Sequence, residues 1–405
     1  MRLKKLVTSF FLTILSCYLF SSEFIVRDAK IYSPDSSNLG GIDLYIKDGK
    51  FVSIGKGLVI SGLKEIDAKG RYLTPGFLSP LSQIGLIEIE LESYTRDDSS
   101  IHYSAGLGIS DAYNPSSTLV PYNLAGGITT SLSAPSFHGN IFMGLVSAFS
   151  LTGSLENSLI EKDIALLANI KGAEDSRAAN ILMLQDAFDQ ARDYSINGMI
   201  NEHTKPQHLN FSKRDLKAIN RVLNKEIPLV VQANRASDLL VLISLAKRNN
   251  IKLIISGAKE GWRVATQLSK AQVPVIIQPI DNLPSSFDEI GAKLDNASLL
   301  HNAGVKILIA SHEAHNSYLS RQGAGIAVSY GLPWEKAIDA LSKNIAESFG
   351  LKDIGSIEVG KSADFIIWSD DPLEVSSFTD LVYIGGQELS TLTRSARLKD
   401  RYIDR

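Results

Sequence analysis

Four short runs in the second half of the chain are apolar and β-branched without alternation: Ile227–Arg235 (IPLVVQANR), Ile251–Ala258 (IKLIISGA), Val273–Ile280 (VPVIIQPI) and Val305–Ser311 (VKILIAS). A strand with one face in water alternates apolar and polar residues, so these runs read as parallel strands buried on both faces. Between the first three lie SDLLVLISLAKRNN and EGWRVATQLSKAQ, with apolar residues at helical spacing and Ser, Asp or Glu near their starts. Strand-helix units over about 275 residues predict an α/β fold built on a (β/α)8 TIM-type barrel. An open doubly wound sheet is the structural alternative, but no GxGxxG turn follows a strand. The first two barrel strands fall near TPGFLSP and GGITTSLSAP. The third and fourth have no clear counterpart. The polar segment Glu92–Asn123 and the stretch from Ser150 to Ser212 read largely as loop, with ALLANIKGAEDSRAANILMLQDAFDQARDY helical in parts.

The two ends follow a different rhythm. FIVRDAKIYSPD, GIDLYIKDGKFVSIGKG and LKEIDAKGRYLTPG alternate between Gly, Asp and Asn punctuation, and the same grammar returns in GSIEVGKSADFIIWSDDPLE and LVYIGGQEL. Both read as short antiparallel strands. Neither piece is large enough for a stable sheet alone, so the ends are expected to meet in a composite β-sandwich. The organisation predicted is a signal peptide (1–22), an N-terminal β part (23–74), the barrel (75–350), a C-terminal β part (351–392) and a tail (393–405).

The signal peptide rests on Arg2, Lys4 and Lys5 before an uncharged apolar run from Leu6 to Phe20, then Ser21 and Ser22. That run is short for a membrane span. The mature chain is expected to start near Glu23 and to be secreted, in the periplasm. A lipoprotein reading of ILSC around Cys17 would leave the apolar YLFSSEF as the mature start. Cys17 is the only cysteine, so the mature chain has no disulfide or thiolate chemistry. The formal charge of -3 is spread without runs, which gives no footprint for nucleic acid or, after signal cleavage, for a membrane. Small-molecule substrates or ligands, or proteins in a homo-oligomer or paralogue complex, are the expected partners.

Over nearly the whole mature chain, IDAKGRYLTPGF, PLVVQANRASDLL, VPVIIQPIDNLPSSFD, GLPWEKAIDALSKNIAESFGL and above all GSIEVGKSADFIIWSDDPLE resemble the amidohydrolase superfamily, and within it the secreted, imidazolonepropionase-like branch. The resemblance implies a barrel holding one or two divalent metals, zinc or a neighbour, at its C-terminal mouth, where a metal-bound water hydrolyses carbon-nitrogen bonds of cyclic amides or small peptides. It also implies where the ligands belong. The His-x-His pair of the first strand falls on Leu81 and Gln83, the fifth-strand His on Gln232, the sixth-strand His at or near Ser256, and the eighth-strand Asp at about His312. The bridging Lys or Glu of the fourth strand has no located counterpart. None of the first four positions carries its expected ligand, so no metal cofactor is expected.

Other residues then become candidates. His312, Glu313 and His315 in SHEAHN follow the eighth strand and could form an acid-base pair or a rebuilt metal site; the favoured alternative is loop residues satisfied by hydrogen bonds. Gln232, Asn234 and Arg235 face the predicted mouth and could hold a substrate carboxylate or carbonyl, or shape the turn while Ser237 and Asp238 cap the next helix. Asp281 binds substrate or fixes the turn before Pro284. His138, before Gly139, follows the second strand and could approach a substrate. Glu202-His203 reads as surface loop and Trp262 as packing. Three functions stay open: a periplasmic amidohydrolase with a rebuilt site, a pseudoenzyme binding a small molecule or protein, and an inactive barrel supporting a paralogue.

Overall fold

The computed structural model describes residues 23–33, 36–137, 139–171, 173–197, 211–311 and 315–403. The predicted signal peptide, His138, Glu202, His203, His312 and Glu313 lie outside them. Two sheets organise the chain. The first is built from β1 (Phe24–Ser33), β2 (Ser36–Lys47), β3 (Lys50–Gly55), β4 (Lys64–Asp67) and β5 (Tyr72–Pro75). The second is the barrel sheet: β6 (Phe77–Ser82), β7 (Ile128–Ser133), β8 (Phe142–Ser150), β9 (Leu159–Asn169), β10 (Leu229–Ala233), β11 (Leu253–Gly257), β12 (Val275–Ile277) and β13 (Ile307–Ile309). The chain then returns to the first sheet with β14 (Phe365–Trp368), β15 (Thr379–Ile384) and β16 (Gln387–Leu389).

The first sheet runs β16-β15-β14-β5-β1-β2-β3, with β4 beside β1. The two ends of the chain do meet, through the antiparallel pairing of β14 with β5. The strands are not all antiparallel as their alternation suggests: β4 and β5 each lie parallel to successive halves of β1. The ending GKSADFIIW has structural work here. Asp364 accepts from Ser362 Oγ and from the Gly385 N–H, and Trp368 donates to Thr74 Oγ1 and stacks on Phe77 at the start of the barrel.

The barrel strands stand in sequence order from β6 to β13. Among the described residues no ladder joins β13 to β6, so the sheet is nearly closed. The helices are α1 (Leu119–Leu124), α2 (Arg177–Asn197), α3 (Lys213–Leu223), α4 (Ala236–Asn249), α5 (Ala265–Lys270), α6 (Asn296–Asn302), α7 (Leu319–Ser329), α8 (Trp334–Leu341), α9 (Lys343–Phe349) and α10 (Arg394–Ile403). Helices α8 and α9 pack against both β6 and β13 and so cover the seam. Leu78, Leu132, Val146, Val230, Ile254, Ile276 and Leu308 fill the lumen, which Ile345, Phe349 and Ile354 help to close. Their chain neighbours Leu229, Val231, Leu253, Ile255, Ile307 and Ile309 belong to the layer between sheet and helices.

The barrel departs from an all-parallel one at the strands that the sequence leaves unplaced. Strand β8 runs antiparallel to both β7 and β9. Two hairpins thus replace two crossover helices. The stretch ALLAN, read above as part of a helical region, is the end of β9, and only the residues from Arg177 onward form a helix. The polar segment that precedes β7 wraps the outside instead. Leu145 N–H donates to Leu107 C=O at 2.8 Å, Gly106 N–H donates to Asp215 Oδ1 at 2.7 Å, and Tyr113 stacks on Phe149 at 3.7 Å. Gly85, at φ +80, allows this stacking, because a Cβ there would sit 2.3 Å from the Tyr113 ring.

Arg321 of α7 docks the first sheet on the barrel. It is buried, donates to the carbonyls of Pro372, Glu374 and Ser377 and lies over the Trp368 ring. Arg321→Ala leaves these carbonyls without their donor and is expected to destabilise the protein by about 3 kcal/mol. Urea unfolding measures it, and an unchanged midpoint at constant slope rules out this docking role.

Candidate functional site

In a barrel of this kind the C-terminal ends of the parallel strands make the mouth. Register places Asn169 beside Gln232, Gln232 beside Ser256, Ser256 beside Ile276 and Ile276 beside Leu308. One half of this ring carries amides and a hydroxyl, and the other half is aliphatic. Asn169 Nδ2 donates to Gln232 Oε1 at 3.2 Å, and the Gln232 side chain is exposed at the mouth. Ser256 is buried.

At the first strand, Leu81 sits at φ +58 and packs against the lumen cluster. A left-handed conformation costs a non-glycine residue about 1–2 kcal/mol. It coincides with a register shift that turns Ser82 outward, where its Oγ lies 2.7 Å from Ser131 Oγ. Ser131 is in turn 2.8 Å from Ser133, which donates to Ile84 C=O. Gln83 is half-buried, with long contacts from Nε2 to the carbonyls of Leu81 (3.4 Å) and Ala134 (3.5 Å).

The loop after β12 lies over the ends of β9–β11. Glu289 is buried and accepts from Lys259 Nζ at 3.0 Å, from Ser285 N–H and Oγ, and from Asn234 Nδ2 at 2.9 Å. Burial pushes its carboxyl up, but the hydrogen bonds from Ser285 and the Lys259 ammonium outweigh that and hold it below the ordinary value. Asn234 Oδ1 is buried without a hydrogen-bond partner, and Gly257, at φ +100, leaves it room, since a Cβ would come within 2.3 Å. Beside this lies Asp288, paired with Lys171 at 2.5 Å and Arg177 at 2.6 Å. Arg177 also reaches Asp238 at 3.0 Å. The Lys171 hydrogen bond leads the effects that hold the Asp288 carboxyl below its usual value. Asn169, Lys171, Arg177, Gln232, Asn234, Asp238, Asp288 and Glu289 surround a cleft of about 180 Å3.

Of the candidate residues, Gln232 and Asn234 come together in this cleft. Arg235 and Asp281 do not join them. Arg235 is the extended residue just before α4, and Asp281 is exposed on the short turn Pro279–Asp281. The expected capping of α4 by Ser237 and Asp238 is replaced: Glu260 Oε2 accepts from the Ala236 N–H while Asp238 pairs with Arg177. His315 lies 2.9 Å from the Glu88 carbonyl through Nε2 and 3.6 Å from Glu90 through Nδ1, tying its loop to the loop after β6. Trp262 donates to Gly291 C=O at 2.7 Å and is a packing residue under the mouth loop. Sequence reasoning missed Asn169, Lys171, Arg177, Lys259, Asp288 and Glu289. Only Lys259, directly after IISGA, carried a positional signal. Among the described residues no three of His, Cys, Asp and Glu gather as metal ligands.

No curated protein sequence matches the chain. Among solved structures it is similar to an amidohydrolase from Thermotoga maritima, at 23% identity over 91% of this chain and 99% of that one, with a TM-score of 0.81. It is also similar to a prolidase complexed with N-methylphosphonate-L-proline (14% identity, 91% and 99% covered, TM-score 0.61). A β-aspartyl dipeptidase from Fervidobacterium islandicum is a third (16% identity, 93% and 98% covered, TM-score 0.54). At these identities the likeness concerns the fold. The sequence profile of the Amidohydrolase family matches residues 187–392, just over half of the 405 residues, and the chain belongs to that family.

Proposed function

We propose that this protein is a catalytically inactive member of its family that binds a small polar molecule at the barrel mouth. The observation that carries the reading is the side chains at the strand ends. A divalent metal does not fit them. Leu81 offers no donor atom, Gln83 and Gln232 offer amide groups, and Ser256 a hydroxyl, whereas zinc and its neighbours take imidazole, thiolate and carboxylate. The buried carboxylate beside the cleft, Glu289, is engaged by Lys259, Ser285 and Asn234. Without a metal the usual activation of water and the counter-charge for the oxyanion are both missing.

What the mouth offers is recognition. Gln232 is exposed and Asn169 lies beside it, with the ion pairs of Lys171, Arg177, Asp238 and Asp288 around them. A cleft of this size admits a ligand of only a few heavy atoms, smaller than the usual 300–1,000 Å3 sites. The ending GSIEVGKSADFIIWSDDPLE supports placing the protein in the imidazolonepropionase-like branch, and the basic then apolar N-terminus supports a periplasmic location.

Metal analysis of the mature protein, purified without chelator after supply of zinc, manganese, iron and nickel, is expected to find well under one metal per chain. Near-stoichiometric metal lost on His312→Ala would overturn the reading in favour of a rebuilt hydrolase site.

The loop over the mouth makes a second prediction. Lys259→Met strands Glu289 as a buried charge, a change that typically costs about 3–5 kcal/mol. Hydrogen exchange of residues 283–291 should speed up markedly; unchanged exchange would remove Lys259 from the docking. Because the folded value of Glu289 is depressed, its contribution is complete above the unfolded value of 4.5 and is lost as pH falls through the folded value. Protection of the loop, corrected for intrinsic rates, should therefore hold at neutral pH and decline only below about pH 4.5.

A further inference from the structure

Two surfaces far apart in sequence carry opposite charge and the same apolar character. The first is α10. None of its residues is buried, although it places Leu398 and Tyr402 one turn apart, exposed at 42% and 58%. Arg394 and Arg401 flank that stripe on the helix, and Arg397 and Lys399 add to it, against Asp400 alone. A ten-residue helix is marginal in water without tertiary packing, so a covering surface would contribute to its stability.

The second surface is the loop after β6. IEIELESYT alternates acidic and apolar residues, and Ile89, Leu91 and Tyr94 are 56%, 100% and 96% exposed. These side chains are not exposed through lack of order around them. Ile87 bridges Arg96, Thr95 Oγ1 donates to the carbonyls of Ile89 and Glu92, and Arg96 Nη1 donates to the Glu90 carbonyl. The loop is held in a shape that presents three large apolar groups to solvent beside Glu90 and Glu92. Grouped exposed apolar residues rimmed by charge mark interaction sites.

We propose that α10 of one copy of this chain docks on the 88–95 loop of a second copy, Leu398 and Tyr402 against Leu91 and Tyr94, with Arg401 facing Glu90 and Glu92 while Arg394 and Arg397 line a cleft of their own chain. An amphipathic helix laid on an apolar surface is a recurrent recognition mode, and the charges fix partner and orientation. Reciprocal exchange closes the pair as a two-fold dimer.

The mass of the mature full-length protein, followed by light scattering between about 1 and 100 micromolar, tests this in the range of small interfaces. The wild type is expected to self-associate. Glu92→Lys on the loop and Arg401→Glu on the helix should each weaken association about tenfold or more, while an equimolar mixture of the two recovers it between unlike chains. Leu398→Ser, which leaves every charge in place, should weaken it too. All three sites are exposed, and an unchanged thermal melting point confirms that each variant folds. A wild type that stays monomeric, an association indifferent to these substitutions, or a monomer whose helix instead binds phosphatidylserine vesicles overturns the proposal.

Discussion

Apart from the exposed start of β9, the barrel strands bury both of their faces, and most of the molecule follows from that constraint. Leu78, Leu132, Val230, Ile254, Ile276 and Leu308 point into a lumen that holds only modest aliphatic side chains. Their chain neighbours meet the outer layer. At about 1.5–3 kcal/mol for each fully buried Leu, Ile or Val, a slip of one residue would exchange two complete layers, so register is strongly specified. The mouth is defined by the same rule: it is where the lumen positions stop being aliphatic on one side and become Asn169, Gln232 and Ser256.

The same constraint explains the one irregular sector. With β8 antiparallel, the chain returns by hairpins and no crossover helix lies between β7 and β9. The outer faces of these strands still need cover. The segment before β7 provides it with Leu86, Ile109 and Tyr113, packed with Phe149. The buried Tyr113 hydroxyl has no hydrogen-bond partner, and burial pushes its ionisation far up. The close ring stacking on Phe149 is what the position gains in exchange.

The sequence was legible where periodicity and burial agree. The runs around β10–β13 lack alternation because both faces are covered, and that pattern identifies them without any long-range information. Alternation likewise marks β1, β2 and β15, and the meeting of the two chain ends follows from the small size of each piece. The direction of β4, β5 and β8 was not legible, because β4 and β5 belong to segments that alternate like antiparallel strands and β8 is buried on both faces like its parallel neighbours. The ALLAN segment was ambiguous for a related reason: short apolar runs suit helix and strand alike. For the site, Gln232 and Asn234 could be placed because they end a recognisable strand. Glu289 could not, since its role comes from a loop folding back across some thirty to fifty-five residues to Lys259 and Asn234.

On the function proposed above, the mouth is a scaffold that persists after its donor atoms change. The positions at the ends of β10 and β11 are needed for the barrel whatever side chains they bear, because their backbones carry the ladder. On that reading, a neutral amide such as Gln232 in place of an ionisable group removes a desolvation cost and leaves the ladder intact. A buried ion pair such as Lys259–Glu289 adds little net stability, since the attraction offsets a large desolvation penalty. Its value is positional. It holds the loop after β12 over β9–β11 in one arrangement, and with it the cleft around Gln232. An apolar substitute could match the energy but would not orient Asn234 through the same carboxylate, so the pair is best understood as the device that gives this mouth a single shape.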